Sequence, residues 1–514
     1  MQPILLSRRR FTANASLAAL ALGNAPLRAL AGSGSIPLRT PSGPLRGEQA
    51  AGVSAFRGVP FAEPPIGPLR FRAPVAVKPW VAERDATHFR AAAMQSDASG
   101  VEQSEDCLYL NIWTPAGSSG HRGPSPVYVW IHGGGFTGGN AFEPMFDGTV
   151  LAQEGIVCVT VAYRLGVFGF LDLEPLLGAE YAGSANNALR DLMTALAWIQ
   201  RNIEAFGGDP TRVTIGGESA GAKLTDILMG IPSARPLFQQ MISESGGAER
   251  VFTRAQCESV AHGFGDAWRA QNGDTLVLSA PAEALIETQK QFIAAWPYHF
   301  PLRCEIDGAL LPLRPVESIA AGSSRGKRLL LGTNRDESAA FLGPHPTKNP
   351  GAANLGNLSV SDFDSVYRKY PALYPEMTAE QLRIRAVTAE EYWIPSLRVA
   401  DAHIKGGGTA FVYRLDFAET SGYYKGYAFH SLDVRLVWDR PLATVENAQA
   451  EADLAHEMHH AWLMFLRGEA PAAAGVPTWP VYNVQTRPTL VFDAQNRVEQ
   501  KPQEAELRLW DGVL

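Results

Sequence analysis

The chain has 514 residues, of which 46% are hydrophobic and 19% are charged, a composition typical of a globular protein and unlike that of a disordered one. Its 45 basic and 52 acidic residues give a formal net charge of −7, so the basic excess typical of nucleic-acid-binding proteins is missing. We therefore expect no nucleic-acid partner. The length permits a large core, and α/β enzymes of this size often fold as one unit.

The first 31 residues differ from the rest of the chain. The basic segment Ser-Arg-Arg-Arg-Phe at 7–11 precedes an Ala/Leu-rich run, and Ala-Leu-Ala at 29–31 offers a small-x-small cleavage site. This layout predicts an export signal that resembles the twin-arginine type, with a mature amphipathic helix as the alternative. The mature chain would then be periplasmic or secreted. Its apolar runs are too short to span a bilayer as helices, so we expect no membrane span.

The four cysteines are too few and too dispersed for a cysteine-rich scaffold. None of them forms a Cys-x-x-Cys pair, which excludes a zinc ribbon and a thioredoxin-like motif. Cys158 lies in an apolar run and is expected to be buried. The sequence leaves open whether Cys257 and Cys304 pair.

Short apolar runs rich in β-forming residues alternate with helical patterns through the chain. Strands are predicted at 127–131, 156–162, 212–216, 327–332 and 410–415, and helices at 187–206, from 220 onward and at 450–467. This alternation predicts a mainly parallel central sheet with helices on both faces. We expect one catalytic domain over 32–514, with helical cap insertions around 254–300 and 340–400.

Residues 217–221 read Gly-Glu-Ser-Ala-Gly and match the G-x-S-x-G nucleophile elbow. In this motif a strand turns sharply into a helix, and the serine at the apex holds a strained backbone that lifts Oγ above the sheet edge. A predicted strand precedes the motif and a helical pattern follows it, which favours the elbow over a plain strand–helix turn. We therefore predict that Ser219 is a catalytic nucleophile.

Residues 132–136 read His-Gly-Gly-Gly-Phe and directly follow a predicted strand. Consecutive glycines let backbone N–H groups approach the oxyanion that forms during acyl transfer. No Lys-Ser/Thr pair follows, so a phosphate-binding P-loop is excluded. A glycine loop and a serine elbow, in this order after two strands, together indicate acyl transfer more strongly than either motif alone.

Together with other segments, these motifs resemble the type-B carboxylesterase family, which includes cholinesterases and bacterial p-nitrobenzyl-esterase-like enzymes. The other matching segments are Phe-Arg-Gly-Val-Pro-Phe-Ala at 56–62, Glu-Asp-Cys-Leu-Tyr-Leu-Asn-Ile-Trp at 105–113, Tyr-Arg-Leu-Gly at 163–166 and Phe-Gly-Gly-Asp-Pro at 206–210. The resemblance covers most of the mature chain. It implies the α/β-hydrolase fold and a serine esterase that acts on a small to medium ester without metal or cofactor.

In that family the triad order is serine, glutamate, histidine. The stretch Gly-Thr-Asn-Arg-Asp-Glu resembles the family's acid segment, which implies that the triad acid is Glu337 and not Asp336. Phe-His-Ser-Leu-Asp resembles the histidine segment and implies that His430 is the base. A surface acid at Glu337 and a structural loop histidine at His430 are the alternatives. Asp433 is expected to be a supporting or surface residue.

The resemblance also implies the mechanism. His430 would take the proton of Ser219 while the glutamate orients the imidazole. The oxyanion would be held by the backbone N–H groups of Gly134, Gly135 and Ala220.

Two other functions stay open from the sequence. Residues 456–460 read His-Glu-Met-His-His, which matches the H-E-x-x-H pattern of zinc proteases, with His456 and His460 as ligands. The resemblance makes this region a structural helix, so we expect no metal. A catalytically silent binding module on the same fold is the second alternative.

Three departures from the family pattern concern a cysteine, a binding loop and the elbow. No cysteine lies near 92–95 to pair with Cys107, which should therefore be a free, buried thiol. The loop 95–105 lacks the tryptophan with which cholinesterases hold a quaternary ammonium, which argues against choline esters. Lys223 is unusual after the elbow, and we expect it to face solvent, with a position near the pocket as the alternative.

Overall fold

The computed structural model describes residues 34–96, 100–117, 123–297, 300–346, 351, 354–442 and 446–514. The predicted export signal at 1–31 lies outside these ranges. Within them, no helix combines the length and the apolar character needed to cross a bilayer.

The strands are numbered in chain order. They are β1 (Gly34–Thr40), β2 (Gly43–Ala50), β3 (Val53–Pro60), β4 (Arg84–Asp85), β5 (Ala92–Ala93), β6 (Gln103–Ser104), β7 (Tyr109–Pro115), β8 (Ser125–Ile131), β9 (Val157–Val161), β10 (Gly208–Glu218), β11 (Gln240–Glu244), β12 (Val251–Thr253), β13 (Cys304–Ile306), β14 (Arg328–Asn334), β15 (Thr409–Leu415), β16 (Thr489–Phe492) and β17 (Arg497–Glu499).

One large sheet forms the centre of the molecule. Its strand order is β1-β2-β3-β7-β9-β8-β10-β11-β14-β15-β16-β17, with β4 paired to β2. From β9 to β16 in this order neighbouring strands run parallel, while β1, β2, β3, β7 and β17 pair antiparallel. The predicted mainly parallel sheet is confirmed.

Helices follow most of the parallel strands. The α-helices are Thr149–Gln153, Gly166–Phe170, Glu174–Leu177, Asn187–Asn202, Ala220–Met229, Arg254–Asn272, Ala282–Ala295, Pro315–Ala320, Ala339–Leu342, Val360–Tyr367, Tyr370–Leu373, Ala379–Thr388, Ile394–Lys405, Leu432–Val437, Ala448–Leu466 and Glu504–Leu509, and a π-helical turn occupies Ala389–Trp393.

Alternate side chains of the central strands belong to two separate cores, because successive residues of a strand point to opposite faces of the sheet. In β14, Leu329 and Leu331 join one core and Leu330 joins the other. The first core includes the apolar stripe of helix Asn187–Asn202, and the second includes that of helix Ala448–Leu466. Helices therefore cover both faces of the sheet, as predicted.

Two predicted elements have different bounds in the structure. The helix expected over 187–206 ends at Asn202, and a 3₁₀ turn continues it to Phe206. The strand expected over 212–216 extends over Gly208–Glu218, because its first residue pairs with Ser125 across an irregularity before regular pairing resumes at Val213.

All four cysteines are buried and free, so Cys257 and Cys304 do not pair. Cys107 is likewise a buried free thiol, as expected from the sequence.

The sheet places the candidate residues at one edge, because parallel strands end on the same side. β8 ends at Ile131 just before the glycine loop, and β10 ends at Glu218 just before Ser219. Glu337 lies shortly after β14, and His430 lies in the connection from β15 to helix Leu432–Val437. Residues far apart in sequence therefore meet at the carboxyl ends of the strands.

Candidate active site

Ser219 stands at the apex of a strained turn between β10 and helix Ala220–Met229. Its φ is 55° and its ψ is −121°, a conformation that costs free energy for a residue with a Cβ. Two backbone hydrogen bonds hold it there: its N–H donates to Glu244 O at 2.9 Å, and its carbonyl accepts from Lys223 N–H at 2.9 Å. The geometry is that of the predicted elbow.

The flanking glycines allow this turn to lie directly against β8. A Cβ at Gly217 would stand 2.2 Å from Ile131 O, and one at Gly221 would stand 1.9 Å from the same oxygen. Both distances are shorter than any non-bonded contact, so a larger residue at either position would push the elbow away from β8.

The glycine loop that follows β8 packs against the elbow. A Cβ at Gly133 would lie 3.3 Å from Ser219 Cβ. Gly134 has φ +108°, and a Cβ there would lie 2.1 Å from Gly138 O, so the loop's path requires glycine at this position. The backbone of the loop therefore lies beside the serine.

The segment after β9 supports the glycine loop. The Tyr163 hydroxyl donates to His132 O at 2.8 Å, and the two rings stack at 4.5 Å. Gly166 N–H donates to Phe136 O at 2.7 Å. Burial lowers the pKa of His132 to about 4, so its ring is neutral at physiological pH.

Glu337 and His430 are in direct contact. His430 Nδ1 lies 2.6 Å from Glu337 Oε2, and Glu337 has no exposed surface. The other carboxylate oxygen accepts from the Ser245 hydroxyl at 2.6 Å and from Asn334 N–H at 2.7 Å. The carboxylate is therefore fixed, and it fixes the orientation of the imidazole.

The other ring nitrogen of His430 faces the elbow. Nε2 lies 3.1 Å from Oε1 of Glu218, the residue that precedes Ser219, and the same oxygen accepts from the Ser431 hydroxyl at 2.5 Å. Among the residues described, no hydrogen bond joins Ser219 Oγ to His430. Catalytic hydrogen bonds are often unmade without substrate and form in the Michaelis complex. Sequence reasoning missed this role of Glu218, although it is part of the elbow motif.

The carboxylates determine the charge of the histidine. Burial raises the pKa of Glu218 to about 7. Burial alone would lower the pKa of His430, but the negative charges of Glu218 and Glu337 outweigh it and leave that pKa raised. The site therefore favours the imidazolium that forms when the histidine accepts a proton.

Asp433 is buried but makes its hydrogen bonds away from the histidine. Its carboxylate accepts from the Tyr413 hydroxyl at 2.6 Å and from the Asn334 side chain at 3.1 Å. Through Asn334, whose side chain also donates to Phe429 O at 2.9 Å, it braces the loop that carries His430.

Lys223 does not face solvent, so that expectation from the sequence is wrong. All residues of helix Ala220–Met229 are buried, and the Lys223 side chain is only 2% exposed. Its ammonium donates to the carbonyls of Gly246 and Glu391 at 3.0 and 3.1 Å. It also lies 4.6 Å from the centre of the Tyr392 ring. The elbow helix is enclosed by the core, which a local sequence pattern does not reveal.

The H-E-x-x-H segment lies on helix Ala448–Leu466. The rings of His456 and His460 stack at 5.9 Å, and Glu457 accepts a hydrogen bond from Asn496. Over the described ranges, no group of three or more His, Cys, Asp or Glu side chains is placed to hold a metal ion.

Comparison with known proteins identifies the family of the chain. The sequence model of the Carboxylesterase family matches residues 35–510. The para-nitrobenzyl esterase of Bacillus subtilis is 35% identical, over 91% of this chain and 97% of its own length. The liver carboxylesterase of Sus scrofa is 30% identical, over 90% of this chain and 89% of its own. The structure of a Geobacillus stearothermophilus carboxylesterase superposes with a TM-score of 0.81 at 32% identity, over 92% of this chain and 99% of that one.

The match spans nearly the whole described chain, and the fold is that of the α/β-hydrolases. The chain belongs to the carboxylesterase family and is a carboxylic-ester hydrolase.

Proposed function

We propose that Ser219, His430 and Glu337 are the catalytic triad of this esterase. The observation that carries the proposal is the 2.6 Å contact of Glu337 with His430 Nδ1, which turns Nε2 toward the elbow. The strained apex at Ser219 is the second support, because such strain persists where function requires it.

The reaction then follows from these contacts. Ser219 Oγ attacks the ester carbonyl while His430 Nε2 takes its proton, and Glu337 stabilises the imidazolium. The tetrahedral intermediate collapses, the C–O bond to the alcohol breaks, and His430 returns the proton to the leaving alkoxide. Water then attacks the acyl-enzyme by the same route, releasing the carboxylic acid and restoring the Ser219 hydroxyl.

The backbone N–H groups of Gly134, Gly135 and Ala220 form the oxyanion hole in this proposal. The first two belong to the loop that packs on Ser219, and the third begins the helix after it. N–H dipoles that the folded backbone already holds in place stabilise an oxyanion without the cost of reorganisation.

The regions around 254–300 and 340–400 form the cap of the domain in this proposal. Phe341 and Tyr392 come from the second region, and their rings lie 5.0 and 4.7 Å from the His430 ring. Phe300 comes from the first, beside the glycine loop: a Cβ at Gly135 would lie 3.0 Å from its ring. Apolar rings on both sides favour an ester with a non-polar portion.

Replacing Ser219 by alanine tests the nucleophile. We expect Ser219→Ala to lower kcat for 4-nitrophenyl butyrate by at least about 10⁴-fold while the circular dichroism spectrum is unchanged. Ser233→Ala, at an exposed serine, is the control and should keep full activity. Normal turnover by Ser219→Ala would remove this residue from the mechanism, whereas an inactive wild-type enzyme would favour the silent binding module.

Replacing Gly134 by alanine tests the oxyanion loop. Because the new methyl group would meet Gly138 O, the loop must shift, and we expect kcat to fall by about 10²–10³-fold, the typical cost of one oxyanion donor. Gly178→Ala is the matched control, since Gly178 has a similar φ of +102° but open space around its Cβ. Equal effects of the two substitutions would mean that backbone strain, and not the oxyanion hole, explains any loss.

Replacing Glu218 by glutamine tests the electrostatics of the histidine. His430 must be neutral to accept a proton, so kcat/KM falls as pH drops through its pKa. Glu218→Gln removes a negative charge that raises this pKa. The acidic limb of the plot of kcat/KM against pH should therefore move to lower pH. Glu204→Gln, at an exposed glutamate, should leave the limb in place. A limb that stays or moves to higher pH in Glu218→Gln would contradict the assignment.

We also propose that the enzyme is exported by the twin-arginine route, on the strength of the segment at 7–11. In a bacterial host we expect a periplasmic product that begins near Gly32. Changing Arg8 and Arg9 together to lysine should retain the full-length chain in the cytoplasm, whereas Arg10→Lys should not. Unchanged fractionation of the double variant would refute this route.

A further inference from the structure

A buried cationic cluster lies behind the active site and has no part in the mechanism above. It consists of Lys223, Arg250 and Glu391, whose side chains are 2%, 2% and 6% exposed. Both cations contact the same carboxylate oxygen: Lys223 Nζ lies 3.3 Å from Glu391 Oε1, and Arg250 Nη2 donates to it. One carboxylate thus serves two positive charges.

Arg250 has hydrogen-bond donors that find no acceptor in the described part of the chain. Its Nε and Nη1 are buried and have no hydrogen-bond partner among the described residues. Buried polar groups in native proteins are almost always hydrogen-bonded, because leaving a donor unpaired away from water costs free energy. An unpaired guanidinium edge at this depth therefore points to an acceptor that arrives from outside.

The charged residues around Arg250 do not supply the acceptor that its guanidinium lacks. Arg303 adds a third buried cation, and burial together with Arg250 lowers its pKa to about 10. Burial raises the pKa of both Glu390 and Asp226 to about 7, so neither carries a full negative charge at neutral pH. The carboxyl groups of Glu390 and Asp226 are therefore weak sources of negative charge for Arg250.

One aromatic ring separates Arg250 from the oxyanion loop. The Arg250 guanidinium carbon lies 3.2 Å from the centre of the Phe300 ring, and the same ring lies against Gly135. On the other side, Phe136 of the glycine loop lies 5.8 Å from the guanidinium carbon. Phe300 therefore covers Arg250 on the side of the reacting carbonyl.

The Glu391 end of the cluster lies next to a residue that contacts His430. Glu391 and Tyr392 lie on the π-helical turn Ala389–Trp393, a form that is frequent at functional sites. The Tyr392 ring contacts both the Lys223 ammonium and the His430 ring. The leaving alcohol must face His430, whereas Arg250 lies one aromatic ring away from the oxyanion loop, so we place Arg250 on the acyl side.

We propose that Arg250, supported by Lys223, is the recognition site for a carboxylate on the acyl part of the substrate. The preferred substrates would be monoesters of dicarboxylic acids. Phe300 turns aside when such an acyl chain enters, and the free carboxylate accepts hydrogen bonds from the unpaired nitrogens of Arg250. This inference rests on the proposed function of Ser219.

Paired substrates that differ only in charge test the proposal. Monoethyl adipate and monoethyl glutarate are compared with the matching monoamide ethyl esters, with ethanol release as the readout. We expect wild-type kcat/KM to favour the anionic ester by at least about 10-fold, and Arg250→Met to lower this preference by about 10- to 100-fold, as for a lost charged hydrogen bond. Arg250→Lys should keep an intermediate preference.

Controls separate this site from the overall charge of the protein. Arg201→Met removes an exposed cation near the opposite end of β10, and it should leave the preference unchanged. Esters of acetic acid whose alcohol carries the carboxylate should show no dependence on Arg250. A preference that survives in Arg250→Met, or a dependence that appears only with the anionic alcohols, would overturn the proposal.

Wild-type enzyme alone gives an independent answer if Arg250→Met does not fold. Adipate should inhibit hydrolysis of 4-nitrophenyl butyrate competitively, and adipamide should inhibit at least about 10-fold more weakly. Equal inhibition, or none, would refute the carboxylate site. If neutral esters are also left intact by the wild type, the proposed function of Ser219 fails instead.

Discussion

The close contact between the elbow and the end of β8 is the constraint on which the site depends. Only glycine at 217 and 221 leaves room for Ile131 O, and this contact brings the loop that follows β8 onto Ser219. The parallel sheet then supplies the other groups, since β14 and β15 end at the same edge. The proposed nucleophile, oxyanion loop and histidine thus converge through backbone geometry, with the strain at Ser219 held by its neighbours.

Buried charge is the second organising feature. Glu337 and Glu218 contact His430, while Lys223 and Arg250 share Glu391, the residue before Tyr392. The two carboxylates favour a protonated histidine, and in our proposal Arg250 binds a carboxylate of the substrate. Tyr392 contacts both Lys223 and His430 and so links the two groups.

The sequence predicted what depends on short patterns. The elbow, the glycine loop and the alternation of strands and helices are encoded in local sequence patterns. These patterns therefore predict the turn at Ser219 and the parallel sheet. The assignment of Glu337 and His430 to the triad required the family resemblance, because these residues are distant in sequence and only the fold brings them together. The contact of Glu218 with His430 was missed, since a motif does not give side-chain direction. Lys223 was misplaced because its helix is covered by segments remote in sequence.

Labelling with a diethyl phosphoryl ester inhibitor tests the central claim most directly. The reagent mimics the tetrahedral intermediate, so it reports the nucleophile, the base and the oxyanion hole together. After inactivation, peptide mass spectrometry should show one phosphoryl group per chain, on Ser219, in proportion to lost esterase activity. A phosphoryl group on another residue, or full activity with Ser219 modified, would contradict the account.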